Sequence, residues 1–231
     1  YKSSDNLTIM GSKDKNVDYK GQLIFPNKIQ KGKGVKRISE QELRQLFIEK
    51  FNETHKHLYY SIETPTIAKY KFKDEIKVDN EIGQSALLDM CVFKRDDRIL
   101  NIEFKHGNPP LKNIEKDVLK LMNEDQKGAF IFLLKNSDSG TFCNKGGTGV
   151  LDKLNESFSN RDFNEEWNGN KKHIQLIILS LEHKTNNKGT PFLIHRTISE
   201  DNLEDFFSIN KDASGNIITV DKNDWQVLRN N

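Results

Sequence analysis

Two carboxylates interrupt a pair of apolar segments near the middle of the chain. Asp89 lies within the apolar run 86–93, and Glu103 lies within the run 99–104, directly before Phe104 and Lys105. Burying an isolated carboxylate in a low-dielectric interior costs on the order of several kcal/mol unless a partner compensates for the lost hydration. Fold stability alone gives little reason for either acid, so both are candidates for chemistry.

The two apolar runs flank the polar segment 94–98, a pattern that predicts a β-hairpin. If residues pair symmetrically about position 96, Asp89 lies opposite Glu103, with Cβ atoms about 5 Å apart. Strand alternation places Asn101, Glu103 and Lys105 on one face of the hairpin. Like charges directly opposite on neighbouring strands repel, and a divalent cation between them would remove that repulsion.

This arrangement predicts a metal site. Two hard oxygen ligands suit Mg²⁺ or Mn²⁺, which keep several waters and accept phosphate oxygens. Lys105 could orient or deprotonate a water, or neutralise charge that builds up on phosphorus. The structural alternative is an ion pair, in which Lys105 bridges Glu103 or Asp89 on a solvated face.

Asp89, followed fourteen residues later by Glu103-Phe104-Lys105, resembles the signature of the PD-(D/E)xK nuclease superfamily. That signature is an acid on one strand, then Glu or Asp, one apolar residue and Lys on the next. The resemblance covers about residues 39–135, because the family core runs helix, three strands, helix, strand. It implies a restriction-endonuclease-like fold with Asp89 and Glu103 as metal ligands, the Phe104 carbonyl as a third ligand, and Lys105 as the catalytic lysine.

The resemblance also points to residues outside the hairpin. Many family members add a Glu from the first helix, and Glu40 lies three and seven residues before Leu43 and Phe47, on the apolar face. Otherwise, Glu40 is a first-turn acid favoured by the helix dipole. Gln126 resembles a polar residue that some members place beside the site, although a loop amide is the simpler interpretation. The proline that the family places before the first acid is Leu88 here.

The elements that must position these residues follow an α/β order. Ser39 and Glu42 form a capping-box pattern that, with an apolar stripe, predicts a helix from 39 to about 52. Other segments predict strands over 58–72, 128–135, 173–181 and 191–196, helices over 111–123, 150–159 and near 200–207, and a hairpin around Ser214-Gly215. This order favours a mixed β-sheet flanked by helices, with a C-terminal α+β extension.

The predicted second helix carries a stripe of lysines opposite its apolar face. Lys112, Lys116 and Lys120 are spaced at i, i+4 and i+8, which could follow a nucleic-acid backbone. Glu115 and Asp117 lie nearby and favour an ordinary solvated face instead.

Size and charge narrow the class of protein. The 231 residues are enough for one large domain. The 36 basic and 34 acidic residues give a net charge of only +2. This balance excludes a histone-like polybasic binder, so any affinity for nucleic acid must come from a local groove. Residues 28–37 and 112–120 are the candidate contributors. We expect an irregular basic arm over 1–37 and one nuclease-like domain over 38–231.

Cysteine content and the absence of targeting signals predict an intracellular, cytoplasmic protein. Cys91 and Cys143 are too few for a disulfide framework, and Cys91 is expected to be a reduced core thiol. The chain shows no signal-like segment, and no apolar run approaches the length of about 18 residues that a membrane-spanning helix needs.

Taken together, these features predict a metal-dependent endo- or exonuclease that uses Mg²⁺ or Mn²⁺ to activate water. By the resemblance, its partner would be nucleic acid, with DNA favoured, in defence or repair. Two alternatives remain open: a non-catalytic nucleic-acid-binding or scaffolding module on a nuclease fold, and a metal-dependent RNA endonuclease. Residues 140–231 could provide a substrate-recognition extension or a homodimer surface, and the chain, which opens on Tyr1, could belong to a longer protein.

Overall fold

The fold is built on one mixed β-sheet with helices on its faces. The computed structural model describes residues 27–30, 33–36, 38–136, 141–142, 146–160, 167, 173–185, 188–202, 209–211, 217–220 and 226–228. The helices are α1 (Glu40–Thr54), α2 (Leu111–Asn123) and α3 (Val150–Phe158), with a 3₁₀ turn at Glu200–Asn202. The strands are β1 (Asn27–Gln30), β2 (Lys33–Lys36), β3 (Tyr59–Lys71), β4 (Lys77–Val78), β5 (Gln84–Lys94), β6 (Asp97–His106), β7 (Lys127–Asn136), β8 (Ile174–Thr185), β9 (Lys188–Ile198), β10 (Ile209–Lys211), β11 (Ile217–Val220) and β12 (Gln226–Leu228).

Within the described residues, eight strands form the main sheet in the order β12-β9-β8-β7-β6-β5-β3-β4. Strands β6, β7 and β8 run parallel to one another, whereas the other neighbouring strands of this sheet are antiparallel. The parallel strands at the centre are joined by segments that contain α2 and α3, as parallel pairs require. The predicted α/β class with a mixed sheet is therefore confirmed.

Helix α1 begins where the sequence predicts, but its cap differs. Ser39 is the N-cap residue, and its hydroxyl contacts the carboxylate of Glu42 instead of bonding the helix backbone. The bond from the Ser39 side chain to the helix backbone, one half of a capping box, is therefore not formed. The apolar stripe of α1 packs on one face of the central sheet, with Leu43, Leu46, Ile48 and Phe51 buried beside Ile102 and Phe104.

The hairpin β5–β6 has the predicted register. Met90 pairs with Ile102, Cys91 with Asn101 and Val92 with Leu100, and the register shifts by one residue only beside the turn. Extended by one residue, this register places Asp89 opposite Glu103. Cys91 is fully buried and free, as predicted for a core thiol.

Helix α2 connects the parallel strands β6 and β7 and covers the sheet face opposite α1. Gly107, directly after β6, has a φ of +71°, a left-handed conformation that glycine adopts without strain and that turns the chain toward the helix. The α2 residues Ile114, Val118 and Leu121 are buried with Phe130 and Phe132 of β7. Alternate β7 residues pack on the α1 face, so this strand is buried on both sides, as predicted.

The flanking segments differ in part from expectation. Strands β1 and β2 form an antiparallel ribbon within the predicted irregular arm, of which residues 1–26 lie outside the described part. The predicted helix near 200–207 is a 3₁₀ turn as far as Asn202, and residues 203–207 lie outside the described part. Strands β10 and β11 pair antiparallel, consistent with the predicted hairpin. Among the described residues, no helix is long and apolar enough to cross a membrane.

A buried ion pair anchors the irregular part of β3. The Glu124 carboxylate accepts hydrogen bonds from the backbone N–H groups of Ile67 (3.1 Å) and Ala68 (3.0 Å) and pairs with Arg98 Nη2 at 2.6 Å. Between Pro65 and Lys69 the pairing of β3 with β5 shifts register. Glu124 therefore accepts hydrogen bonds from backbone N–H groups of β3 at the point where the regular pairing of β3 with β5 is interrupted.

We expect Glu124→Gln to lower the free energy of unfolding by about 2 kcal/mol, because it removes charge-assisted hydrogen bonds and leaves Arg98 without its buried partner. Urea denaturation would measure the change. Glu81→Gln, in an exposed turn, is the matched control and should have little effect. Equal unfolding curves for the two variants would contradict a structural role for this pair.

Candidate active site

Asp89 lies where the regular pairing of β5 with β6 ends. Its Oδ2 accepts a hydrogen bond from the backbone N–H of Phe104 at 2.7 Å, in place of a main-chain acceptor. Its Oδ1 lies 3.8 Å from Nη1 of Arg44, which extends from α1. The carboxylate is thereby held between the two strands, next to the Glu103-Phe104 peptide.

Glu103 is the most deeply buried of the predicted charged site residues, with 1% of its surface exposed. Burial raises the pKa of its carboxyl well above the usual range, and the charges of Asp117 and Asp89 raise it further. Lys120 of α2 opposes this shift, with its Nζ 2.6 Å from Glu103 Oε1. Among the described residues, the Lys120 ammonium is therefore the partner of Glu103 Oε1, in a buried ion pair.

Lys105 faces the same side of the sheet as Glu103, as strand alternation predicts. Its ammonium lies 2.6 Å from Asp117 Oδ2 and 3.7 Å from Glu40 Oε2, and it donates a hydrogen bond to the Phe104 carbonyl at 3.2 Å. Burial lowers the pKa of Lys105, but the neighbouring carboxylates, chiefly Asp117, outweigh this and leave it raised. Lys105 therefore remains a cation at neutral pH, which favours an electrostatic role over that of a general base.

Glu40 is the first residue of α1 and reaches the site from the helix N-terminus. Burial raises the pKa of its carboxyl, while Lys105 partly offsets the shift. A cleft of about 340 Å³ opens here, lined by Glu40, Lys105, His106, Pro109, Asn113, Lys116 and Asp117. His106 also borders the cleft, although strand alternation directs its side chain to the face opposite Lys105.

Two α2 residues of this cluster were not expected. Asp117 and Lys120 were assigned to a solvated face, and this is wrong, because each is about 95% buried, with exposed fractions of 5% and 6%. Their side chains also pair with each other at 2.8 Å. A signal was present in the sequence: Asp117 lies three residues after Ile114 and four before Leu121, within the apolar stripe of the helix.

A second unexpected pair lies on the other side of Asp89. Arg44 Nη2 is 3.8 Å from Glu63 Oε1, so this guanidinium lies between two carboxylates. Glu63 has a φ of +51°, which is uncommon for a residue other than glycine, and it falls opposite Asp89 because Ile62 pairs with Met90. No sequence pattern predicted either residue as part of the site.

Other residues that the sequence predicted as contributors do not join the cluster, or their side chains lie outside the described part of the structure. Gln126 accepts a hydrogen bond from Asn101 Nδ2 at 3.4 Å and does not line the cleft. Lys112 donates to the backbone carbonyl of Lys73, whereas Lys116 borders the cleft with its ammonium 5.3 Å from the Phe72 ring centroid. The side chains of residues 28–37 lie outside the described part of the structure.

The donor set suits a hard divalent cation held by few protein ligands. Among the described residues, no group of three or more His, Cys, Asp or Glu side chains is arranged to hold a metal. The Asp89 and Glu103 carboxylates and the Phe104 carbonyl are oxygen donors, and Mg²⁺ commonly binds through one or two carboxylates while keeping waters or substrate oxygens. The cluster also has four carboxylates for three cationic side chains: Glu40, Asp89, Glu103 and Asp117 against Arg44, Lys105 and Lys120. These carboxyl groups supply the oxygen donors that a hard cation prefers.

In comparisons with known proteins, no family model matched the chain, and no significant match was found among curated proteins or solved structures. The functional interpretation therefore depends on the residues of the site itself.

Proposed function

We propose that this protein is a metal-dependent nuclease that hydrolyses phosphodiester bonds of nucleic acid, with DNA the favoured substrate. The observation that carries the proposal is the clustering of Asp89, Glu103 and Lys105 at one end of the hairpin, within a partly buried group of carboxyl and ammonium side chains. The order α1, β3, β5, β6, α2, β7, with only the two-residue β4 inserted, supports it. This is the element order that the resemblance to PD-(D/E)xK nucleases implies.

Asp89, Glu103 and the Phe104 carbonyl are the groups that would hold the cation. A bound Mg²⁺ or Mn²⁺ would supply Lewis-acid stabilisation of the charge that develops on the phosphoryl oxygens. Asp89 stays oriented because Phe104 N–H binds one of its oxygens, leaving the other directed away from that bond. The Phe104 carbonyl accepts one hydrogen bond from Lys105 and retains a second lone pair.

Lys105 and Glu40 have the two remaining roles, which are charge stabilisation and proton transfer. Lys105 borders the cleft as an ammonium and neutralises negative charge on a phosphate oxygen, an interaction that strengthens in the transition state. Glu40 borders the same cleft and has a raised pKa, which suits it to accept a proton from the attacking water. The cleft is where a phosphodiester group would meet both side chains.

The test is cleavage of supercoiled, linear and single-stranded DNA, and of RNA, with Mg²⁺, with Mn²⁺ and with EDTA. We expect metal-dependent cutting by the wild-type protein that EDTA abolishes and that Asp89→Asn removes. Asp97→Asn, at the exposed start of β6 next to the hairpin turn, is the matched control and should cut normally. The preferred substrate decides between the DNA and RNA alternatives.

Absence of cutting by the wild-type protein on every substrate would overturn the nuclease proposal. Nucleic-acid binding under those conditions, measured by a mobility shift, would favour the non-catalytic module. Equal cutting by wild type and Asp89→Asn would indicate a contaminating nuclease.

A further inference from the structure

The ammonium of Lys120 occupies the centre of a small cage of oxygens beneath the site. Its Nζ lies 2.6 Å from Glu103 Oε1, 2.8 Å from Asp117 Oδ1 and 2.8 Å from the Leu87 carbonyl oxygen, to which it donates. An ammonium has three hydrogens, and three neighbours surround it here. These oxygens come from β6, α2 and β5, so the cation joins three elements.

The environment keeps this cation charged and in place. Burial lowers the pKa of Lys120, but the Glu103 and Asp117 carboxylates reverse that effect, so its pKa is raised. Only 6% of the residue is exposed, and its neighbours Leu119 and Leu121 are fully buried, which fixes the helix against the sheet. Lys120 is therefore held among these oxygens and away from solvent.

A bridging divalent cation would bind between two neighbouring buried carboxylates, such as those of Glu103 and Asp117. Glu103 Oε1 and Asp117 Oδ2 are buried oxygens whose close contacts among the described residues are with lysine ammonium groups. The Lys120 and Lys105 ammonium groups lie 2.6 Å from these oxygens. Each ammonium thereby supplies positive charge where a metal ion would otherwise be needed.

We propose that Lys120 is a built-in cation of the site, taking the position between Glu103 and Asp117 that a second divalent ion would occupy, so that the chain binds a single divalent cation. The inference deepens the proposed nuclease function and rests on it for the first cation. Asp117 acts in this arrangement as a positioning residue, because it contacts Lys105 and Lys120 rather than the cation.

Mn²⁺ titration by isothermal calorimetry, without substrate, tests this inference independently of cleavage. We expect one Mn²⁺ per wild-type chain. We expect two per chain in Lys120→Gln, because loss of the Lys120 ammonium opens the position between Glu103 and Asp117 to an ion. Lys112→Gln, on the exposed part of the same helix, is the matched control and should bind one. Thermal unfolding with and without Mn²⁺ would show a larger stabilisation of Lys120→Gln than of wild type.

Two Mn²⁺ per wild-type chain would overturn the inference without any variant, so it remains testable if Lys120→Gln does not fold. A folded Lys120→Gln that binds the same number as wild type would also overturn it. If the wild-type protein binds no Mn²⁺, the proposed nuclease function fails. In that case, one Mn²⁺ per chain of Lys120→Gln would still support the role of Lys120, whereas no Mn²⁺ bound to Lys120→Gln would overturn this inference too.

Discussion

Lys105→Ala is expected to lower the rate of metal-dependent cleavage by about 10²–10³-fold, the size of effect seen when one preorganised charge-stabilising group is removed from an active site. Lys105 borders the cleft, and the carboxylates around it keep it protonated. The variant loses the positive charge that meets the phosphate in the transition state. Initial rates on the preferred substrate, at saturating Mg²⁺, measure the effect.

Lys94→Ala is the matched control for this prediction, because Lys94 lies exposed at the far end of the same hairpin. Its rate should stay close to that of wild type. Mn²⁺ binding by Lys105→Ala should persist, since Asp89 and Glu103 remain. A variant that is folded, binds Mn²⁺ and cuts at the wild-type rate would show that Lys105 has only a structural role.

Lys120→Met should lower the free energy of unfolding by about 3–5 kcal/mol, which is the usual cost of leaving buried charges without their partner. Methionine keeps much of the volume of the lysine stem, so the loss comes mainly from the charge. The Glu103 carboxylate would lose its closest cation, and Asp117 would keep only Lys105. Urea denaturation followed by circular dichroism measures the change.

Lys112→Met, on the exposed start of α2, should change stability by less than about 0.5 kcal/mol. Adding Glu103→Gln to Lys120→Met should recover part of the loss, because the unpaired buried charge is then removed, and a double-mutant cycle isolates this coupling. If Lys120→Met unfolds at the same urea concentration as Lys112→Met, the buried pairing of Lys120 is incorrect.

Local pattern was sufficient to predict the hairpin, its register and the faces of its strands. The apolar runs on either side of residues 94–98 determine where the chain turns, and a period of two then assigns each residue to a face. The register therefore placed Asp89 opposite Glu103 before any tertiary contact was known. Helices α1 and α2 were predicted for the same reason, since their apolar stripes repeat within the segment itself.

The cap of α1 shows a limit of such local patterns. Ser39 and Glu42 have the spacing of a capping box, yet the hydroxyl contacts the carboxylate directly. Residue type and spacing indicate that a helix begins here. They do not decide among the hydrogen bonds that these short side chains can form, because those alternatives differ little in free energy.

What only the tertiary structure decided is which charged residues share the buried site. Asp117 and Lys120 look like part of a solvated helix face when the helix is considered alone, because surface helices commonly carry such pairs. The crossover from β6 to β7 lays α2 over Glu103 and Lys105, and burial then turns ordinary surface charges into obligatory partners. Likewise, Arg44 and Glu40 reach the hairpin from α1, which packs from the opposite face. Periodicity assigns residues to faces within one element, but the identity of the facing element depends on contacts between distant parts of the chain.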